Sequence, residues 1–159
     1  MKNLLTTAIL ALCVAGATAQ ELQMDSTTGK WMYRGIVKVD SVGSSELFDR
    51  ANEWIARSYR SANAVVQYSS KEDGKVVAKG NWPGLFGAYF EHILIIETKD
   101  GRLRYTYTDF VSVYNTGMRS PLEKTKGKKG MWKQFAENAQ KSGASLVQSV
   151  LSASKSSDW

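Results

Sequence analysis

Two apolar, β-branched runs meet at Asp100-Gly101, and this junction limits the fold more than any other part of the chain. Both residues tolerate the positive φ of a tight primed turn, so Asp-Gly between such runs predicts a β-hairpin over residues 89–114, turning at Lys99-Asp100-Gly101-Arg102. A two-residue turn also predicts the register. Thr98 then faces Leu103, Ile96 faces Tyr105, Leu94 faces Tyr107, His92 faces Asp109 and Phe90 faces Val111, on a mostly apolar and aromatic side expected to be core. The other side sets Glu97 against Arg104, Ile95 against Thr106, Ile93 against Thr108 and Glu91 against Phe110, a half-wet surface. Ile93 and Ile95 are candidate partner contacts there, because exposed apolar patches mark interaction sites. The same register predicts a raised His92 pKa, since the Asp109 carboxylate would favour imidazolium.

The N-terminus carries an address. Lys2 and Asn3 precede an apolar run over residues 4–14, and Ala17-Thr18-Ala19 supplies the small-x-small pattern of a signal-peptidase site. The run is too short for a membrane span. Residues 1–19 are therefore read as a signal peptide, giving export to the periplasm or beyond, and the bulky Leu12 before Cys13 disfavours a lipid anchor. Cleavage leaves 140 residues with 20 Lys and Arg against 15 Asp and Glu, a net charge of +5, and no cysteine for a disulfide or a thiolate metal site. That length suits one domain with a core of its own. The basic balance favours an anionic partner, either an envelope lipid or glycan or another envelope protein. No nucleic-acid module is recognisable, and nucleic acid is not an expected partner.

Along the chain, residues 20–30 read as a flexible arm and residues 31–154 as a single domain. Residues 31–40 alternate as a first strand with Gly35 in its middle. The serines of residues 41–45 are expected to cap a helix in which Leu47, Phe48, Ala51, Trp54, Ile55 and Tyr59 form one apolar stripe, with Arg50 and Arg57 opposite. Trp54 and Tyr59 are read as packing residues. Residues 64–68 and 75–82 make two further strands. The glycines and proline of residues 80–87 then predict an irregular loop, whose Trp82, Leu85 and Phe86 form a candidate ligand- or partner-binding lid. Residues 116–130 form a basic connector in which Arg119, Lys124, Lys126, Lys128 and Lys129 are a candidate anion site, although the plain reading is a solvated segment. Residues 131–154 follow as a long helix, bent or closely crossed at Gly143, and residues 155–159 as a frayed tail.

The predicted order is β-α-β-β-β-β-α, an antiparallel sheet with helices packed on one face, in the α+β class. Tyr33, Gly35, Val37, Asp40, Leu47, Ala51, Trp54 and Ile55, with Gly74, Gly80 and the hairpin Lys99-Asp100-Gly101-Arg102-Leu103-Arg104-Tyr105, resemble the domain-of-unknown-function 4468 family. The resemblance covers roughly residues 31–114. It implies a TATA-binding-protein-like fold and a cell-envelope address, since the family occurs mainly in exported proteins of Bacteroidota. Its motifs bear the fold and supply no catalytic site, and fold is no warrant for function.

The chemical inventory is short. One His and no mature Cys, with no Gly-x-Ser-x-Gly, no His-Glu-x-x-His and no dinucleotide fingerprint, leave most nucleophilic, zinc and cofactor chemistries without their parts. No catalytic residue, metal or cofactor is assigned. The expected function is a non-enzymatic envelope module that binds through the sheet, the Trp82 loop or the space under the C-terminal helix. The alternatives are a hydrolase built on His92, Asp109 and Glu91, or a structural subunit of an envelope assembly.

Overall fold

The computed structural model describes residues 22–59, 65–84, 87–125 and 129–152. Among the described residues seven antiparallel strands form one sheet: β1 Gln23–Met24, β2 Trp31–Lys38, β3 Val66–Ser70, β4 Lys75–Pro83, β5 Tyr89–Lys99, β6 Arg102–Val113 and β7 Arg119–Pro121. Their order is β1-β2-β6-β5-β4-β3, with β7 paired to β6. Helices α1 Ser44–Ser58 and α2 Lys129–Ser152 cover one face of this sheet, so the predicted class and main element order hold. The expected leader, residues 1–19, and tail, residues 155–159, lie outside the described residues.

Two segments expected to be loose are built in. Part of the arm pairs as β1 with β2, and the connector contributes β7 and a 3-10 turn, Leu122–Lys124, that buries Leu122 and Thr125 completely or nearly so. Apolar burial explains the second. Leu122 enters the core from the sheet edge, and Thr125 closes the turn by donating to the Leu122 carbonyl at 2.6 Å.

The hairpin register holds from the turn to Ile93↔Thr108 and then slips. Two residues of β6, Asp109 and Phe110, lie where one was expected, opposite His92, and pairing resumes at Glu91↔Val111. This is a β-bulge, with Asp109 in the left-handed region at φ 53. The extra residue flips the remaining strand. Phe110 and Ser112 therefore turn into the core, whereas Val111 was expected there, and the His92–Asp109, Phe90–Val111 and Glu91–Phe110 pairs do not form. Asp109 instead accepts a hydrogen bond from Lys30.

Helix α1 starts without a serine cap. The side chain that accepts from its first free backbone N–H is Asp100, whose Oδ1 lies 2.8 Å from Ser44 N, while Ser44 Oγ meets Thr98 Oγ1 at 3.0 Å. The turn residue thus also serves as the helix cap. Arg50, expected on the wet side of α1, is buried instead: its Nη1 donates to the Val150 carbonyl at 2.8 Å, satisfying one of the carbonyls left open at the end of α2. Below the helices, Tyr105 occupies space left by two glycines. A Cβ on Gly35 would fall 2.0 Å from its Cζ, and one on Gly143 would fall 2.8 Å from its Cε2 and Oη. Gly143 therefore permits a close helix-to-sheet crossing, as its position suggests.

Candidate binding cleft

The interval read as a lid is largely strand. β4 continues through Pro83, pairing Gly80↔His92, Asn81↔Glu91, Trp82↔Phe90 and Pro83↔Tyr89, whereas glycine and proline predicted an irregular connection. Gly80 is required here by its neighbours, not by a turn. A side chain would meet Tyr59 Cε1 at 2.5 Å and His92 Nε2 at 2.6 Å. Pro83 is tolerated as the last residue of its strand. Leu85 and Phe86 lie outside the described residues, so the candidate lid reduces to Trp82.

Trp82 is buried and stacked on His92, ring centroids 3.7 Å apart at 20°, with Tyr107 and Phe110 behind it. His92 is 1 % exposed. Its Nε2 shares a 3.2 Å hydrogen bond with the Tyr59 hydroxyl, the donor being set by the imidazole tautomer, and Nδ1 has no partner of good geometry. Burial drives the His92 pKa from 6.5 down to about 3, only partly opposed by the Phe90 carbonyl. The expected rise is therefore reversed, because the bulge carries Asp109 away and leaves desolvation as the main influence. Burial likewise raises Tyr59 and Tyr107, so both hydroxyls keep their protons at neutral pH. Glu91 points to the opposite face, where hydrogen bonds from Arg119 and then Lys79, the latter at 3.3 Å, lower its pKa. His92, Asp109 and Glu91 do not converge on a common point.

A cleft of about 360 Å³ opens above this stack, between the end of α1, the end of β4 and the middle of α2. Trp54, Tyr59 and Trp82 form one side, and Asn138, Lys141, Ser142 and Ser145 the other. The serines are anchored: Ser145 Oγ accepts from Trp54 Nε1 at 3.1 Å, and Ser142 Oγ lies 2.7 Å from the Tyr107 hydroxyl. Among the described residues, the side chains of Asn138 and Lys141 make no hydrogen bond or ion pair. The polar wall does leave a signal in the sequence. Positions 138, 141, 142 and 145 recur at i, i+3, i+4 and i+7, a polar stripe beside the apolar one on α2. Trp54 and Tyr59 pack the core as expected and also wall the cleft.

The other candidates lie elsewhere. Ile93 and Ile95 are half-buried on the helix-free face of the sheet, away from Trp82. Arg119 is committed to Glu91, Lys124 lies exposed in the 3-10 turn and Lys129 opens α2, while Lys126 and Lys128 fall outside the described residues. No group of three His, Cys, Asp or Glu positioned for a metal occurs among the described residues. No described helix is long and apolar enough to cross a membrane.

An antiparallel sheet carrying two helices on one face is the arrangement of a TBP-like protein from Parabacteroides distasonis, which superposes with a TM-score of 0.63 at 16% identity over 80% of this chain and 96% of that one. That likeness defines the fold class. The chain belongs to the DUF4468 family, a domain of unknown function with TBP-like fold, whose family model matches residues 33–112. A crystal structure of a DUF4468 protein from Bacteroides ovatus agrees in fold, with a TM-score of 0.66 and 10% identity, covering 80% of this chain and 90% of that one. No curated protein matches the sequence.

Proposed function

We propose that the chain is an exported, non-enzymatic binding module of the cell envelope, whose cleft takes an anionic glycan. The observation that carries this reading is the cleft's two-sided lining, three aromatic side chains facing the Asn138 amide and the Lys141 ammonium, which have no side-chain partner among the described residues. Ligand sites commonly combine an apolar wall with a few directed polar groups, and a volume of about 360 Å³ suits one or two sugar rings better than an acyl chain. Lys141 supplies the cation that favours an acidic sugar. Export is supported by the apolar run of residues 4–14 and by Ala17-Thr18-Ala19. A binding role is supported over hydrolysis by His92, which is enclosed and held neutral with its proposed partners directed elsewhere.

Tryptophan emission of the chain from Gln20 onward, titrated with an oligogalacturonate and with a neutral maltooligosaccharide, tests the proposal. The acidic sugar should give a saturable change, and Lys141→Ala and Asn138→Ala should each weaken it about tenfold, the equivalent of 1.4 kcal/mol. Both variants should melt with the parent. Equal response to the two sugars, no response to either, or undiminished binding by both variants would overturn it.

A further inference from the structure

The helix-free face of the sheet carries an unbalanced row of charge. The observed register sets Lys38 directly opposite Arg102 and Arg102 directly opposite Lys99, three cations side by side across β2, β6 and β5. Like charges directly opposite one another on a sheet are destabilising. None of the three makes an ion pair among the described residues. Nearby Glu97 is engaged by Arg104 at 2.7 Å, and Asp100 holds the Ser44 N–H, so neither acidic neighbour is free to neutralise the row. A hollow of about 200 Å³ opens beside the row, lined by Ile36 and Leu103, by Lys99 and Arg102, and by the paired Arg104 and Glu97; Ile36 is 51 % exposed. The next row inward, Ile36, Arg104, Glu97 and Lys75, carries the Arg104–Glu97 ion pair, and the row beyond it turns more apolar. Val77, Ile95 and Thr106 lie in line across β4, β5 and β6, and Ile93 adjoins them.

We propose that this face docks an acidic polypeptide segment, its carboxylates meeting Lys38, Arg102 and Lys99 and an apolar side chain entering the hollow over Ile36. Charge complementarity selects the acidic partner, and exposed Ile36 beside the row, with Val77 and Ile95 two rows inward, selects a polypeptide over a purely polar polyanion. A bilayer is disfavoured by geometry. Ile93 and Ile95 are half-buried, with the longer Glu91 and Glu97 flanking them along the strand, and do not project far enough to enter an acyl layer. The proposal is independent of the cleft, which lies on the helix side.

The test uses the chain from Gln20 onward, with a short synthetic peptide alternating Glu and Val, the same peptide with Lys for Glu, and phosphatidylglycerol vesicles. Backbone amide NMR should show the acidic peptide shifting Ile36, Ile95 and Arg102 while leaving Lys141 unmoved. Binding should weaken at least tenfold in Arg102→Glu and in Ile95→Lys, and should fade as salt rises. Because Arg102→Glu also breaks the like-charge row, its melting temperature should rise, which separates lost docking from lost folding. Preference for the vesicles, equal binding of the basic peptide, shifts outside this face, or unchanged affinity in both variants would overturn the proposal.

Discussion

Protonating His92 would put a charge between Trp82 and Tyr59 with no carboxylate in reach, and the chain's response to acid follows from that. The unfolded histidine takes up its proton near 6.5 and the folded one holds off until about 3, so falling pH draws the equilibrium toward the unfolded state throughout that window. Stability is full above the upper value and declines below it. Urea denaturation at pH 6 and pH 5, above the range in which most carboxylates titrate, should give a slope approaching about 1.4 kcal/mol per pH unit that His92→Gln removes. An unchanged slope in the variant would mean that another group titrates there. A second residue-scale expectation concerns Gly35, over which the Tyr105 ring lies with no room for a methyl group. Gly35→Ala should cost about 1–3 kcal/mol, measured by thermal melting. Combining it with Tyr105→Ala should cost less than the two single changes together, since the side chain that clashes is gone.

Elements were legible where one local rule had no rival. The Asp-Gly turn and the stripe on α1 predicted their elements correctly, because turn chemistry and 3.6-residue periodicity agreed with the burial the fold imposes. Beyond Ile93 the hairpin was misread, although the sequence marks the change. Apolar residues occupy positions 103, 105 and 107, then two polar residues, Thr108 and Asp109, stand together and the core-facing apolar position moves to Phe110. That break in alternation is what a bulge looks like in sequence. The caps were not legible, because Asp100 and Arg50 reach across the fold to satisfy helix ends distant in sequence. Asp100→Ala should therefore lower stability by about 0.5–2 kcal/mol through α1, with amide exchange accelerating at Ser44 and its neighbours. Exchange that quickens only in the hairpin turn would assign the loss to the turn instead.

At the scale of the whole molecule, the class and the main strands could be read from pattern, and the cleft could not. Its walls come from the end of α1, the end of β4 and the middle of α2, and no rule of local spacing brings Trp54, Trp82 and Lys141 together. The glycine at position 80 was read as a loop signal, but its cause is the Tyr59–His92 contact beside it, which sequence alone does not reveal.

The Asp100 cap also bears on the order in which a chain emerging from its N-terminus can fold. Helix α1 has 15 residues, a length that is marginal in water by itself, and its cap arrives 56 residues after its first turn. Its apolar stripe likewise waits for β5 and β6 to pack against. A partly emerged chain therefore holds few native contacts worth keeping and remains a pliable thread. Folding gathers pace only when the hairpin turn is out and closes both structures together, so turn and helix start are made or lost as one joint.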